Sequence, residues 1–146
     1  VLATFITWLS EKTTPVFVVA TANNINWIPA EVIRKGRFDE VFFLSLPNFE
    51  ERCSIFEVHL KKVRPKKLSE FQLSLLGKVS KDFSGAEIEQ VVIEAMRLGF
   101  NEEREFVTED VLNSVQNLVP LARTKNKEIR ELREWAESGN VSLASD

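Results

Sequence analysis

The sequence predicts an α/β segment followed by an all-α domain, and three observations carry this expectation. Two apolar runs, 16–21 (VFVVAT) and 40–46 (EVFFLSL), are apolar on both faces and rich in β-branched and aromatic residues, as buried strands are. A short helical stretch opened by Pro29 lies between them. After Pro47 no further strand pattern occurs, and each periodic stretch has helical spacing. Strand, helix and strand in that order imply parallel pairing through a crossover, the mark of the α/β class.

Each element follows from local chemistry. Val1, Leu2, Phe5, Ile6 and Leu9 are spaced like one helix face, so 1–12 reads as a helix that Thr13-Thr14-Pro15 breaks. Residues 23–26 are polar loop. Pro29 suits the first turn of a helix through Ile33, which Gly36 ends. Asn48 with Glu51 three residues on forms a capping box ahead of Ile55, Phe56, Val58 and Leu60. Residues 68–79 form another helical stripe. Ser84-Gly85-Ala86-Glu87 is a second capping box, opening a helix with Ile88, Val91, Val92, Ala95 and Met96 on one face. Thr108-Glu109-Asp110 caps a fourth helix through Leu118, with acids suited to its N-terminal dipole. Residues 123–137 read as a charged helix with a thin stripe of Ile129, Leu132 and Trp135, and the tail from Gly139 as frayed. The expected domains are 1–47, 48–120 and 121–146. The chain opens in mid-helix without Met, which points to a piece of a longer protein.

Composition narrows the function. The 146 residues are 44% hydrophobic and 28% charged, an ordinary globular balance with room for one domain and a small second one. The net charge is -3, and no basic stripe dominates, so nucleic-acid binding is not expected. No apolar run approaches the roughly 20 residues of a membrane span, and there is no signal-peptide pattern. Cys53 is the single cysteine, so no disulfide framework exists, which fits a reducing compartment. No metal-ligand spacing and no nucleophile–base pair can be read.

The most specific segment is 33–39 (IRKGRFD), where Arg34 and Arg37 flank Gly36 between a short helix and an apolar run. Arginine presents a planar fork of donors with a permanent charge, which suits phosphate oxygens. Taken alone, an RKGR tetrapeptide is better explained as a surface salt bridge, Arg37 to Asp39 or to a carboxylate elsewhere. It is not alone. Ala20-Thr21-Ala22-Asn23-Asn24, then 28–39 (IPAEVIRKGRFD), EVFFLSLP, 55–60 (IFEVHL) and Ser84-Gly85-Ala86-Glu87-Ile88 follow one another in order. This series resembles the C-terminal part of AAA-type ATPases over residues 1 to about 118. The resemblance implies the end of a P-loop NTPase α/β core followed by a four-helix lid.

That resemblance assigns roles residue by residue. Asn23 stands where the family orients the attacking water or touches the γ-phosphate. Asn24 is its rival, since the loop to Pro29 is one residue short of the common pattern, and either asparagine could instead cap a turn. Arg34 and Arg37 stand at the arginine fingers, which reach the γ-phosphate bound by the neighbouring subunit. His59 stands beside the adenine and ribose, although a lone helical histidine is more often an ordinary surface or core residue. Gly85 and Ala86 occupy the sensor-2 position, where small residues let a helix N-terminus approach the nucleotide, and plain helix capping explains them equally.

The expected cofactor is ATP with Mg²⁺, the metal's ligands lying outside this chain. The expected partners are neighbouring AAA subunits in a homo-hexameric ring and a protein client, in a cyanobacterial cytoplasm or chloroplast stroma. The chain has no G-x-x-x-x-G-K-[ST] phosphate loop and no apolar strand ending in Asp-Glu. Gly77-Lys78 is a decoy, because Val79 follows it. The 146 residues alone are therefore expected neither to bind ATP tightly nor to hydrolyse it. The alternative is a non-catalytic module whose arginines complete the sites of partner ATPases.

Overall fold

The computed structural model describes residues 2–24, 26, 28–33 and 37–144. The chain divides into two compact units, Val1–Ser45 with Glu128–Asp146, and Leu46–Lys127.

The first unit holds α1 (Leu2–Glu11), α2 (Ala30–Ile33) and β1 (Phe42–Phe43). Its C-terminal stretch carries most of the last helix, a π-helical turn (Ala136–Asn140) and β2 (Ser142–Leu143). α1 ends ahead of Pro15 as the sequence requires, and the Pro29 carbonyl accepts the Val32 N–H at 2.9 Å to close the first turn of α2. The expected strand at 16–21 does not form. Those residues adopt no regular structure, and Phe17 is 94% and Val19 76% exposed. Of the expected strand at 40–46 only Phe42–Phe43 pairs, in parallel with Ser142–Leu143. The physical reason is lateral support. A strand apolar on both faces is stable only between neighbouring strands and beneath covering helices, and the described residues supply one two-residue ladder and an isolated bridge at Phe38. The tail expected to fray instead contributes that ladder: Ser142 N–H donates to the Val41 carbonyl and Ala144 N–H to Phe43, both at 3.0 Å.

The second unit is helical throughout: α3 (Phe49–Val63), a 3₁₀ turn (Leu68–Glu70), α4 (Leu73–Val79), α5 (Gly85–Asn101), α6 (Thr108–Asn117) and α7 (Leu121–Thr124). The helix expected over 123–137 is broken at Lys125, leaving α7 and the separate α8 (Asn126–Trp135). The stripe at 68–79 likewise splits, because Phe71 is extended and swings its ring into the core. α3 packs on α4 and α5, and α5 on α6. Phe56 and Leu60 of α3, Leu76 of α4, Ile88 and Val91 of α5 and Val111 of α6 are fully buried. Each such side chain contributes about 2 kcal/mol by leaving water. Phe71 and Phe106 close one end, with ring centroids 5.3 Å apart, and the Arg64 guanidinium lies 5.3 Å above the Phe106 ring and pairs with Glu105.

The capping boxes at α3 and α5 form as expected. Asn48 and Glu51 exchange hydrogen bonds at 2.7 and 2.9 Å, and Ser84 and Glu87 do the same at 2.7 and 3.4 Å. At α6 the cap shifts by one residue. Val107, not Thr108, is the N-cap, because Asp110 reaches back to accept the Val107 N–H at 2.8 Å. Thr108 is then free to accept from the N–H of Gln72, the residue before α4, at 3.4 Å and to donate to the Glu70 carbonyl of the 3₁₀ turn at 3.5 Å.

Asp110 is buried and accepts a bidentate pair from Arg104 at 2.7 and 2.8 Å. The Arg104 hydrogen bonds, with the Val107 N–H and the nearby positive charge, outweigh burial and hold its carboxyl below the ordinary value. A carboxyl depressed in the folded state adds stability above its unfolded pKa and loses it as pH falls through the folded value. The urea midpoint is therefore expected to hold between pH 7 and 5 and to fall below about pH 4, the ordinary aspartate range. Asp110→Asn should lower the midpoint at pH 7 and flatten that acid fall. A variant with the wild-type acid slope would show that the stability resides elsewhere.

Candidate functional site

The candidate residues divide between the two units. Asn23 and Arg37 belong to the first, and His59, Gly85 and Ala86 to the second. Arg34 lies outside the described residues. Asn23 is exposed in a bend after the 16–21 run. The Asn24 side chain is occupied locally: its Oδ1 accepts the Asn26 N–H at 2.9 Å, the turn-capping alternative recognised in the sequence. Arg37 is exposed in the turn that leads towards β1, and among the described residues no ion pair joins it to Asp39.

In the helical unit the seam between α3 and α5 brings two sequence-predicted residues into one row. A side chain at Gly85 would meet only Ile55 Cδ1, at 3.8 Å. One turn further along both helices, His59 Nδ1 lies 3.4 Å from Glu89 Oε1, with the imidazole largely buried. Ala86 is exposed beside Gly85 on the first turn of α5. The N-terminus of this 17-residue helix is therefore flanked by small side chains, with one imidazole a turn away. Its backbone N–H groups and dipole favour an anion.

One carboxylate already serves that end. Glu87 Oε2 accepts from the Ser84 N–H and hydroxyl, both at 2.7 Å, while Oε1 accepts from the Leu121 N–H at 2.6 Å. Burial pushes the Glu87 carboxyl up, but these hydrogen bonds outweigh it and hold the group below its ordinary value. The sequence shows Glu87 as a cap. Its bond to Leu121, 34 residues away, has no local signature.

The entry into the helical unit is tied in a similar way. Arg52 is buried, donating from Nε to the Gly77 carbonyl at 3.0 Å and from Nη1 to the Pro47 carbonyl at 2.7 Å. No local signal in the sequence marks Arg52, an arginine on a charged helix, as a buried tie. The decoy Gly77 has a packing reason instead, since a side chain there would run into Cys53 Sγ. Among the described residues no cluster of His, Cys, Asp or Glu could hold a metal ion, and no helix is long and apolar enough to cross a membrane.

The ordered motifs and the helical unit together match known proteins. The chain belongs to the AAA family. It is 59% identical over 145 residues to the uncharacterized AAA domain-containing protein ycf46 of Guillardia theta, covering 99% of this chain and 29% of that protein. It is 54% identical to the protein of the same name from Pyropia yezoensis, covering 99% of this chain and 30% of that protein. More distantly, it is 33% identical over 117 residues to the proteasome-activating nucleotidase of Saccharolobus solfataricus, covering 80% of this chain and 29% of that protein. The chain thus spans less than a third of the length of these relatives. No family model matches it, and no solved structure matches it.

Proposed function

We propose that this chain is the C-terminal part of an ATP-hydrolysing AAA protein, comprising the end of the α/β core (1–47), the helical lid (48–120) and a C-terminal extension (121–146). The single observation that carries this is the α5 N-terminus, with Gly85 and Ala86 on its first turn and His59 one turn along the same seam. It is a surface suited to one end of a nucleotide. The unsupported apolar residues Phe17, Val19, Phe42 and Leu44 support the reading too, because a complete parallel sheet would cover them.

In this proposal ATP brings a phosphate to the α5 N-terminus of the helical unit, with its Mg²⁺ and its remaining phosphate contacts supplied by residues outside the chain. His59 lies beside the base and ribose, and the α5 N-terminus supplies positive dipole and close backbone approach. Asn23 orients the attacking water. Arg34 and Arg37 serve the nucleotide of the next subunit in a homo-hexameric ring, stabilising negative charge on the transferring oxygens. The work done is remodelling of a protein client. The organisms of the ycf46 relatives favour a chloroplast stroma, with a cyanobacterial cytoplasm as the equivalent setting.

Steady-state ATPase assays test this. The 146-residue chain alone is expected to show no turnover, since it has no phosphate loop. The full-length protein is expected to turn over ATP, with specific activity falling on dilution as rings dissociate. Turnover by the isolated chain, or none by the assembled protein, would overturn the proposal.

A further inference from the structure

The contact that the nucleotide reading leaves unused is the one between Glu87 and Leu121. The two oxygens of this carboxylate face different elements. Oε2 closes the cap of α5 through Ser84, and Oε1 receives the first N–H of α7, just after Pro120. Pro120 has no N–H, and within the turn that follows Arg123 N–H donates to the Pro120 carbonyl at 2.9 Å and Lys125 N–H to the Leu121 carbonyl at 2.7 Å. Leu121 is 54% exposed and Val119 66%, while Pro120 between them is buried and Leu118 packs against the core. Glu87 is a side-chain tie from the start of α7 to the cap of α5.

We infer that Glu87 is a positioning residue that couples the α5 N-terminus to the segment by which the chain leaves the helical unit. This rests on the proposal that a nucleotide phosphate approaches that N-terminus. The physical reason is competition for one turn of helix. The α5 dipole and the Ser84 donors already stabilise a carboxylate. A phosphate brought to Gly85 and Ala86 places like charge beside Glu87 and draws on the same dipole. Glu87 is then less well held in its double role, and the Leu121 anchor loosens. Nucleotide occupancy is thereby reported to α7 without any nucleotide contact by α7. Arg52 pins the entrance of the helical unit to Pro47 through a buried pair of bonds to backbone carbonyls. The exit is tied by a half-exposed carboxylate, whose hold on Leu121 depends on how firmly the α5 cap keeps it.

Hydrogen exchange of the Leu121 amide, followed by NMR, tests the inference. In the 146-residue chain, Glu87→Gln is expected to speed exchange at Leu121 by about tenfold or more, since a hydrogen bond to a charged acceptor is lost. Amides in 88–98 should stay slow. Ser84→Ala keeps Oε1 facing Leu121 and should leave that amide protected. Should Glu87→Gln also loosen α5, Glu87→Asp decides: it keeps the charge at the cap but shortens the reach, and should expose Leu121 alone. Unchanged Leu121 exchange in Glu87→Asp, or Ser84→Ala freeing Leu121 as much as Glu87→Gln does, overturns the anchor. In the full-length protein, Mg²⁺–ATP is expected to speed exchange of a peptide covering 119–124 in the wild type and not in Glu87→Gln. Nucleotide binding is measured on the same samples by fluorescence titration. Absence of binding means that the nucleotide reading itself has failed. Binding with unchanged exchange at 119–124 overturns the coupling alone.

Discussion

Arg37→Ala in the full-length protein is expected to lower ATP turnover by on the order of 10³, with nucleotide affinity nearly unchanged. Each factor of ten is about 1.4 kcal/mol, so the loss corresponds to roughly 4 kcal/mol of transition-state stabilisation. The fold gives the variant a clean readout. Arg37 is exposed, and among the described residues it holds no ion pair that its removal would break. A finger contacts charge that develops in the neighbour's transition state, which is why turnover and not binding should carry the effect. Arg37→Lys keeps the charge but not the planar fork, and should recover only part of the activity. Adding Arg37→Ala subunits to wild-type rings should depress turnover beyond simple dilution. If turnover in the homogeneous variant equals that of the wild type, Arg37 is not a finger.

Gly99→Ala is the substitution expected to damage the helical unit most for its size. An added methyl at Gly99 would sit 2.8 Å from Phe106 N, 2.9 Å from Phe106 Cβ and 3.0 Å from the Arg104 carbonyl oxygen. These atoms belong chiefly to backbone, anchored by the Phe106 ring in the core and by the Arg104–Asp110 pair. Alanine in a helix interior gains about 1 kcal/mol over glycine. Overpacking against a fixed backbone costs about 3 kcal/mol, so the clash decides the sign and a net loss of about 2 kcal/mol is expected. Gly77→Ala is the internal control. Its nearest obstacle is the Cys53 thiol, the end of a side chain that can rotate, so its cost should be clearly smaller. Urea midpoints for the two variants measure the difference, and a Gly99→Ala protein as stable as wild type would show that the 102–106 turn can shift.

The helical unit was largely legible because its instructions are local. Asn48 with Glu51, and Ser84 with Glu87, place two helix starts, and the 3.6-residue spacing of Ile88, Val91, Val92 and Ala95 declares which face is buried. The α6 start was misplaced by one residue because Thr108 is a good cap by type. Choosing between it and Val107 depended on where Arg104 holds the Asp110 carboxylate. The 16–21 and 40–46 runs misled for a different reason. An apolar β-branched run states a preference for strand, but a strand exists only through hydrogen bonds to another segment. The partner that Phe42–Phe43 found was 142–143, a tail that carries no strand signal of its own.

For the candidate site the division is similar. The order of Asn23, Arg34, Arg37, His59, Gly85 and Ala86 could be read from the chain, because a family resemblance is carried by residue identity and order. By itself the sequence determined the helix caps, the buried faces of α3 and α5, the family, and the absence of a phosphate loop from these residues. Tertiary structure alone decided that Arg52 is a buried tie and not a surface charge, that Asn24 closes its own turn, that His59 faces Glu89, and that Glu87 reaches Leu121. The physical reason is range. Caps and helical stripes are settled within about four residues of chain. A hydrogen bond that spans 25 or 34 residues exists only after the helices have packed and brought its ends together.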